Sequence, residues 1–313
     1  MTTRTGLDAQ LGIAEESTVG TRVAPTRFVP LTGESVTLEI ERLESEGIRS
    51  GRTTTDSADW ASGAKTVSGD INFDARVESL GVWLKHALGG VSTTGSGPYT
   101  HTFTPGDMFG KGLTVQIGRP DAGGTVRPFE YAGCKIASLS LEASVGEIAS
   151  VSASLIGQDE DTGQTLATAS YTADDTLLTF AHGALTVGGT SVPVESVSLE
   201  IDNSLQATRH RLGSAVTTEQ RQEGKRAISV SAVADFTDLT VYNRFVSGTE
   251  AAAVLTFTSG SDSLTITMNC RTDGSTPNVG GVEEIPLNLE MMAVGTTDAA
   301  AITAVLVNNA STP

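Results

Sequence analysis

The sequence predicts a mainly β protein made of two tandem copies of one β-sandwich or barrel domain, each with one flanking α-helix and a long loop. Three observations carry this prediction: a composition rich in Thr, Ser and Gly, apolar residues alternating at period two, and a set of segments that recur in order along the chain. The 313 residues include 43 Thr, 30 Ser and 34 Gly, and charged residues make up only 18%, against about 25% in an average globular chain. β-branched and small polar residues favour strands and turns over helices. A length of 313 residues suits two domains of about 150 residues each.

The recurrence begins with Glu34-Ser35-Val36-Thr37-Leu38-Glu39-Ile40, which returns as Glu195-Ser196-Val197-Ser198-Leu199-Glu200-Ile201. Val67-Ser68-Gly69 with Phe73 matches Val230-Ser231-Ala232 with Phe236. Thr102 to Gly106 matches Thr256 to Gly260, and Leu113-Thr114-Val115 matches Leu264-Thr265-Ile266. Leu139-Ser140-Leu141-Glu142 matches Leu287-Asn288-Leu289-Glu290, and Val151 to Ile156 matches Ile302 to Val307. Most of these pieces alternate, as Val36, Leu38 and Ile40 do against Thr37 and Glu39, the pattern of half-buried antiparallel strands.

One stretch per copy breaks the alternation. Leu80, Trp83, Leu84, Ala87 and Leu88 form an apolar helical stripe closed by Gly89-Gly90, a glycine stop. Leu239, Tyr242, Phe245 and Val246 before Gly248 do the same in the second copy. The polar segment 158–175 reads as the linker, giving domains at 1–165, including an N-terminal arm over residues 1–33, and 166–313. Each copy places its longest polar loop between its first two matched strands, at 41–66 and 202–226. These loops hold much of the basic charge, and loops longer than about 15 residues usually serve binding or stay disordered.

Chemistry-bearing motifs are sparse. The net charge of −17 opposes gripping a phosphate backbone, but not lining a channel through which a polyanion slides. His86, His101, His182 and His210 have no partner at a metal-ligand spacing. Cys134 and Cys270 make no disulfide framework. No nucleophile elbow, phosphate loop or dinucleotide fingerprint is present. Asp159-Glu160-Asp161 with Gly163 departs from a calcium loop beyond its first turn, and Asn309-Ala310-Ser311 is a sequon without a secretory signal. No apolar run reaches membrane-spanning length. No enzyme activity, cofactor, metal or membrane partner is expected.

The run Leu11 to Thr21, continuing through Ala24 to Pro30 into the Glu34–Ile40 strand, resembles the start of the tail tube (major tail) proteins of long non-contractile-tailed bacteriophages. Gly47 to Arg52, the strand over 67–73 leading into a helix, and Val194 to Asn203 are similar to that family too. The resemblance implies a virion structural protein, assembled in the bacterial cytoplasm, whose rings stack into the hollow tail tube that delivers the DNA genome. If single-copy relatives close six-fold rings, a two-copy chain would build a homotrimeric, pseudo-six-fold ring; a hexameric ring is the alternative. Its implied partners are other copies of itself, a tape measure protein in the lumen during assembly, passing double-stranded DNA held without specific binding, and tail terminator and tail-tip proteins. Long loops in the family bridge successive rings, which nominates Arg49, Arg52, Asp56, Asp59, Trp60, Arg209, Arg211 and Arg221 as inter-ring contacts. The alternative role is another virion part, a capsid decoration or baseplate/tail-tip sandwich protein.

Overall fold

A computed structural model describes residues 5–173, 175–274, 276–279, 281–282 and 285–313. The start of the expected N-terminal arm (1–4) and Asp174 of the expected linker lie outside the described residues. In chain order the first half contains β1 (Gln10–Glu16), β2 (Arg27–Val29), β3 (Gly33–Glu34), β4 (Thr37–Glu44), β5 (Trp60–Asp74), α1 (Leu80–Leu88), β6 (Gly89–Thr94), β7 (Tyr99–Pro105), β8 (Gly112–Pro120), β9 (Val126–Ser144), β10 (Ser150–Gly157) and β11 (Asp159–Asp161). The second contains β12 (Gly183–Val187), β13 (Thr190–Val192), β14 (Val194–Asp202), β15 (Ala227–Asp235), α2 (Leu239–Ser247), β16 (Ala251–Ser259), β17 (Asp262–Gly274), β18 (Pro286–Ala293), α3 (Asp298–Ala301) and β19 (Ile302–Asn308). All the ladders between these strands are antiparallel.

The two halves share one pairing order. In the first, β4-β5-β10-β9 form one sheet and β2-β1-β8-β9-β11 another, with the long β9 passing from one to the other. In the second, β14-β15-β18-β17 and β13-β12-β16-β17-β19 repeat that order, with β17 as the shared strand. Registers agree as well: Leu38 faces Val67 in the first half and Leu199 faces Val230 in the second. The front recurrences of the sequence therefore hold place for place.

The back recurrences do not. The hairpin β6–β7 follows α1 in the first half, whereas β16 follows α2 directly in the second. Hence Thr102 to Gly106 falls on β7 or just past it, while its sequence match runs out of β16, which stands in the place of β8. Each later match is displaced by one strand in the same way. The physical reason is that alternating Thr/Ser and apolar residues fit any half-buried strand, so an inserted hairpin shifts the match without spoiling it. β7 itself pairs with β19, so the inserted hairpin joins the second half's sheet.

β9 and β14 pair over seven positions, from Ser144 opposite Ser196 to Ser138 opposite Asp202. This fuses the halves into one eight-stranded sheet, β4-β5-β10-β9-β14-β15-β18-β17. Its apolar face carries Val67, Ile71, Leu139, Leu141, Leu199, Val230 and Leu289, all buried in a core that runs through both halves. Burying each such side chain is worth about 1.5–3 kcal/mol. α1 lies within this core, Trp83 packing on Phe73 with ring centroids 4.8 Å apart. α1 and α2 end as expected, on Gly89 and Gly248 in the left-handed conformation, which lacks a steric penalty only for glycine.

Two segments outside the matched strands are also built into the fold. Residues 10–29 are not a free arm: Leu11 and Ile13 are fully buried because β1 fills the sheet beside β8. The polar linker is tied down, with β11 on β9, Tyr171 against Phe28, and the Asp175 carboxylate accepting from Glu78 N (2.7 Å) at the start of α1.

Candidate assembly surfaces

The polar face of the eight-stranded sheet follows directly from strand alternation. One row across it reads Asp74, Ser150, Glu142, Ser198, Ser231, Glu290, Asp273, each opposite the next. The next row reads Asn72, Ser152, Ser140, Glu200, Ser229, Met292, Arg271, and a third Asp70, Ser154, Ser138, Asp202, Ala227. Carboxylates are mostly separated by serine, which avoids the cost of like charges directly opposite. From β5 to β18 these three rows contain no Lys or Arg; Arg271 stands at the β17 end. The signal was present in the sequence as serines two apart, 138/140, 152/154, 196/198 and 229/231, but only the sheet order joins them into one surface.

At the end of this face lies a buried cation that sequence reasoning missed. Lys135 on β9, 1% exposed, donates from Nζ to Glu219 Oε1 (2.6 Å), Met108 O (2.7 Å) and Gln220 O (3.0 Å). Burial pushes its pKa down, and the neighbouring Glu219 carboxylate pulls it back up. Glu219 also accepts from Gly110 N at 2.6 Å. Asn203 donates from N to Ala137 O and from Nδ2 to Ile136 O, Lys65 N donates to Ala215 O, and the Arg221 guanidinium lies 4.8 Å from the Phe109 ring centroid. Residues 203–226 thus form a strap from the second half closed over the first.

The sequence-nominated residues fall into two groups. In the strap, Arg221 stacks on Phe109, Arg209 donates to Glu219 O (2.7 Å), and Arg211 stays at the surface, donating to His210 O. In the first loop, longer strands than expected reduce the open segment to 45–59. Arg49 pairs with Asp56 (2.9 Å) and Asp59 (2.6 Å), Arg52 pairs with Asp56, and Trp60 lies under Arg42. The two groups are not brought together.

The profile of a family described as phage tail tube protein matches residues 6–293. The chain belongs to that family. A search of curated proteins finds no match. Family membership makes the chain a structural, non-enzymatic component of the virion tail, one that assembles into a tube. Among the described residues no three His, Cys, Asp or Glu side chains are placed to hold a metal, and no helix is long and apolar enough to cross a membrane.

Proposed function

We propose that three copies of this chain close a pseudo-six-fold ring, that rings stack into the hollow tail tube, and that the serine–carboxylate face lines the lumen through which DNA is delivered. The carrying observation is the continuous sheet. Each half contributes four strands in the same order, so one chain presents two equivalent units and three chains present six. The sheet ends in two strands open for pairing, β4 on one side and residues 271–274 of β17 on the other, and open antiparallel edges are templates for another chain. The β9–β14 ladder inside the chain shows the kind of antiparallel joint that such open edges can make between chains. A lumen face with carboxylates and no exposed cation across its centre repels phosphates, so the genome passes without sticking. The duplication of one domain, bounded near residue 165, accounts for the shared registers.

Negative-stain electron microscopy of purified protein over a concentration series tests this reading. Hollow striated filaments with three chains per ring are the expected result. Six chains per ring would overturn the trimer, and discrete particles at every concentration would favour a decoration or tail-tip role.

A further inference from the structure

We infer that loop 45–59 of one chain closes over the second half of a neighbouring copy within the same ring, as strap 203–226 closes over the first half of its own chain. This rests on the ring reading above and names the partner surface for that ring. The loop expected to bridge successive rings is thereby assigned to the joint inside one.

The argument runs through ladder positions. The two loops hold the same place, one joining β4 to β5 and the other β14 to β15. The strap covers the first half because β14 stands beside β9. In a closed ring β4 stands beside the β17 of the next copy, and its loop meets the second half in the same relation. The receiving row can be named. Lys135, which holds the strap, lies opposite Ile156, which lies opposite Ser68, which lies opposite Thr37. In the second half the row ending on Ser198 runs through Ser231 and Glu290 to Asp273. Asp273 occupies the place of Lys135.

The charge is reversed on both sides of this comparison. Lys135 receives Glu219 of the strap. Asp273 is exposed, has no ion pair with a described residue, and lies two residues from the Arg271–Glu250 pair (3.1 Å). The loop that would reach it carries Arg49 and Arg52, both about half exposed. Among the described residues, residues 46–58 make side-chain and turn hydrogen bonds only with residues 45–59, and Ile48 at the tip is wholly exposed. The ion pairs and turns of the segment close on the segment itself.

The test uses full-length chains carrying one added cysteine each, Ser50→Cys or Asp273→Cys, the native Cys134 and Cys270 being buried. The two variants are mixed under assembly conditions, treated with a short bismaleimide and run on a denaturing gel beside each variant alone. A shift to two-chain mass only in the mixture, and a ladder that stops at three chains for the double variant, is the expected result. Filaments without the two-chain band would overturn the placement of the loop and leave the tube reading standing. A band without filaments would support this joint and count against stacking. Neither band nor filaments would overturn both.

Discussion

The two helices occupy the same place in the two halves and are treated in opposite ways. α1 is buried along its length, covered by β6–β7, by β1 through a Lys85–Glu15 pair (2.6 Å), and by the chain end, where Pro313 meets Gly81. α2 buries only Val241 and leaves Leu239 (55%) and Val246 (64%) exposed. The loops repeat the contrast, the strap anchored on a buried lysine and the loop at 45–59 tied, among the described residues, to itself. Equal topology with unequal burial teaches that the first half covers its own helix inside the chain and the second half does not; on the ring reading proposed above, a neighbouring copy would cover α2 and the first loop.

The largest way to break the comparison is through α1. Trp83 is fully buried against Phe73, so Trp83→Ala should cost about 3–5 kcal/mol in urea unfolding. Val246→Ala on α2 should move stability by less than about 0.5 kcal/mol. Equal losses would mean that α2 is as well covered as α1. Next comes the strap. Lys135→Met removes the cation from Glu219 and the donor from two carbonyl groups, and breaking a buried pair costs about 3 kcal/mol or more. Limited proteolysis should then cut first within 203–226; unchanged protection there would show that the strap is held by something other than Lys135.

The halves should also differ in acid. His86 on α1 is buried, and desolvation lowers its pKa to about 4 against an ordinary 6.5, with Glu15 working the other way. Its neutral form is favoured in the folded chain, so its contribution is fully present above pH 6.5 and is lost as pH falls toward 4. The drop from this one group is about 3 kcal/mol. His86→Leu should flatten that part of the pH–stability curve. α2 has no histidine, so a curve unchanged by the substitution would place the acid sensitivity elsewhere.

Much of this was legible in residue order. Alternation located the strands, the Leu80 to Leu88 stripe and Gly89 fixed α1, and the Leu38 and Leu199 segments gave the two halves the right register. What was not legible has one cause: strands of Thr, Ser and Val carry no label for their neighbour. The β6–β7 insertion shifted the later matches by one strand for that reason, and the serine–carboxylate face stayed invisible although every serine in it was in view. Lys135 was missed on different grounds. A single lysine in a mixed run, Cys134-Lys135-Ile136, shows no period, and its partner Glu219 lies 84 residues away.

The smallest expected effect decides what the loop is for. Arg49 and Arg52 are half-exposed and paired within their own loop, and exposed ion pairs contribute roughly 0–1 kcal/mol. Arg49→Glu with Arg52→Glu should therefore leave the unfolding curve of the single chain nearly unchanged. A contact repeated at every chain–chain joint behaves otherwise: a loss of about 0.7 kcal/mol at each joint raises the concentration needed for assembly about threefold. Asp273→Lys should produce the same rise from the other side of the joint, and combining it with the two Arg→Glu changes should return part of the loss. Single-chain destabilisation by the loop variant would make the loop an internal brace. An assembly defect that Asp273→Lys fails to relieve would move its partner to another surface.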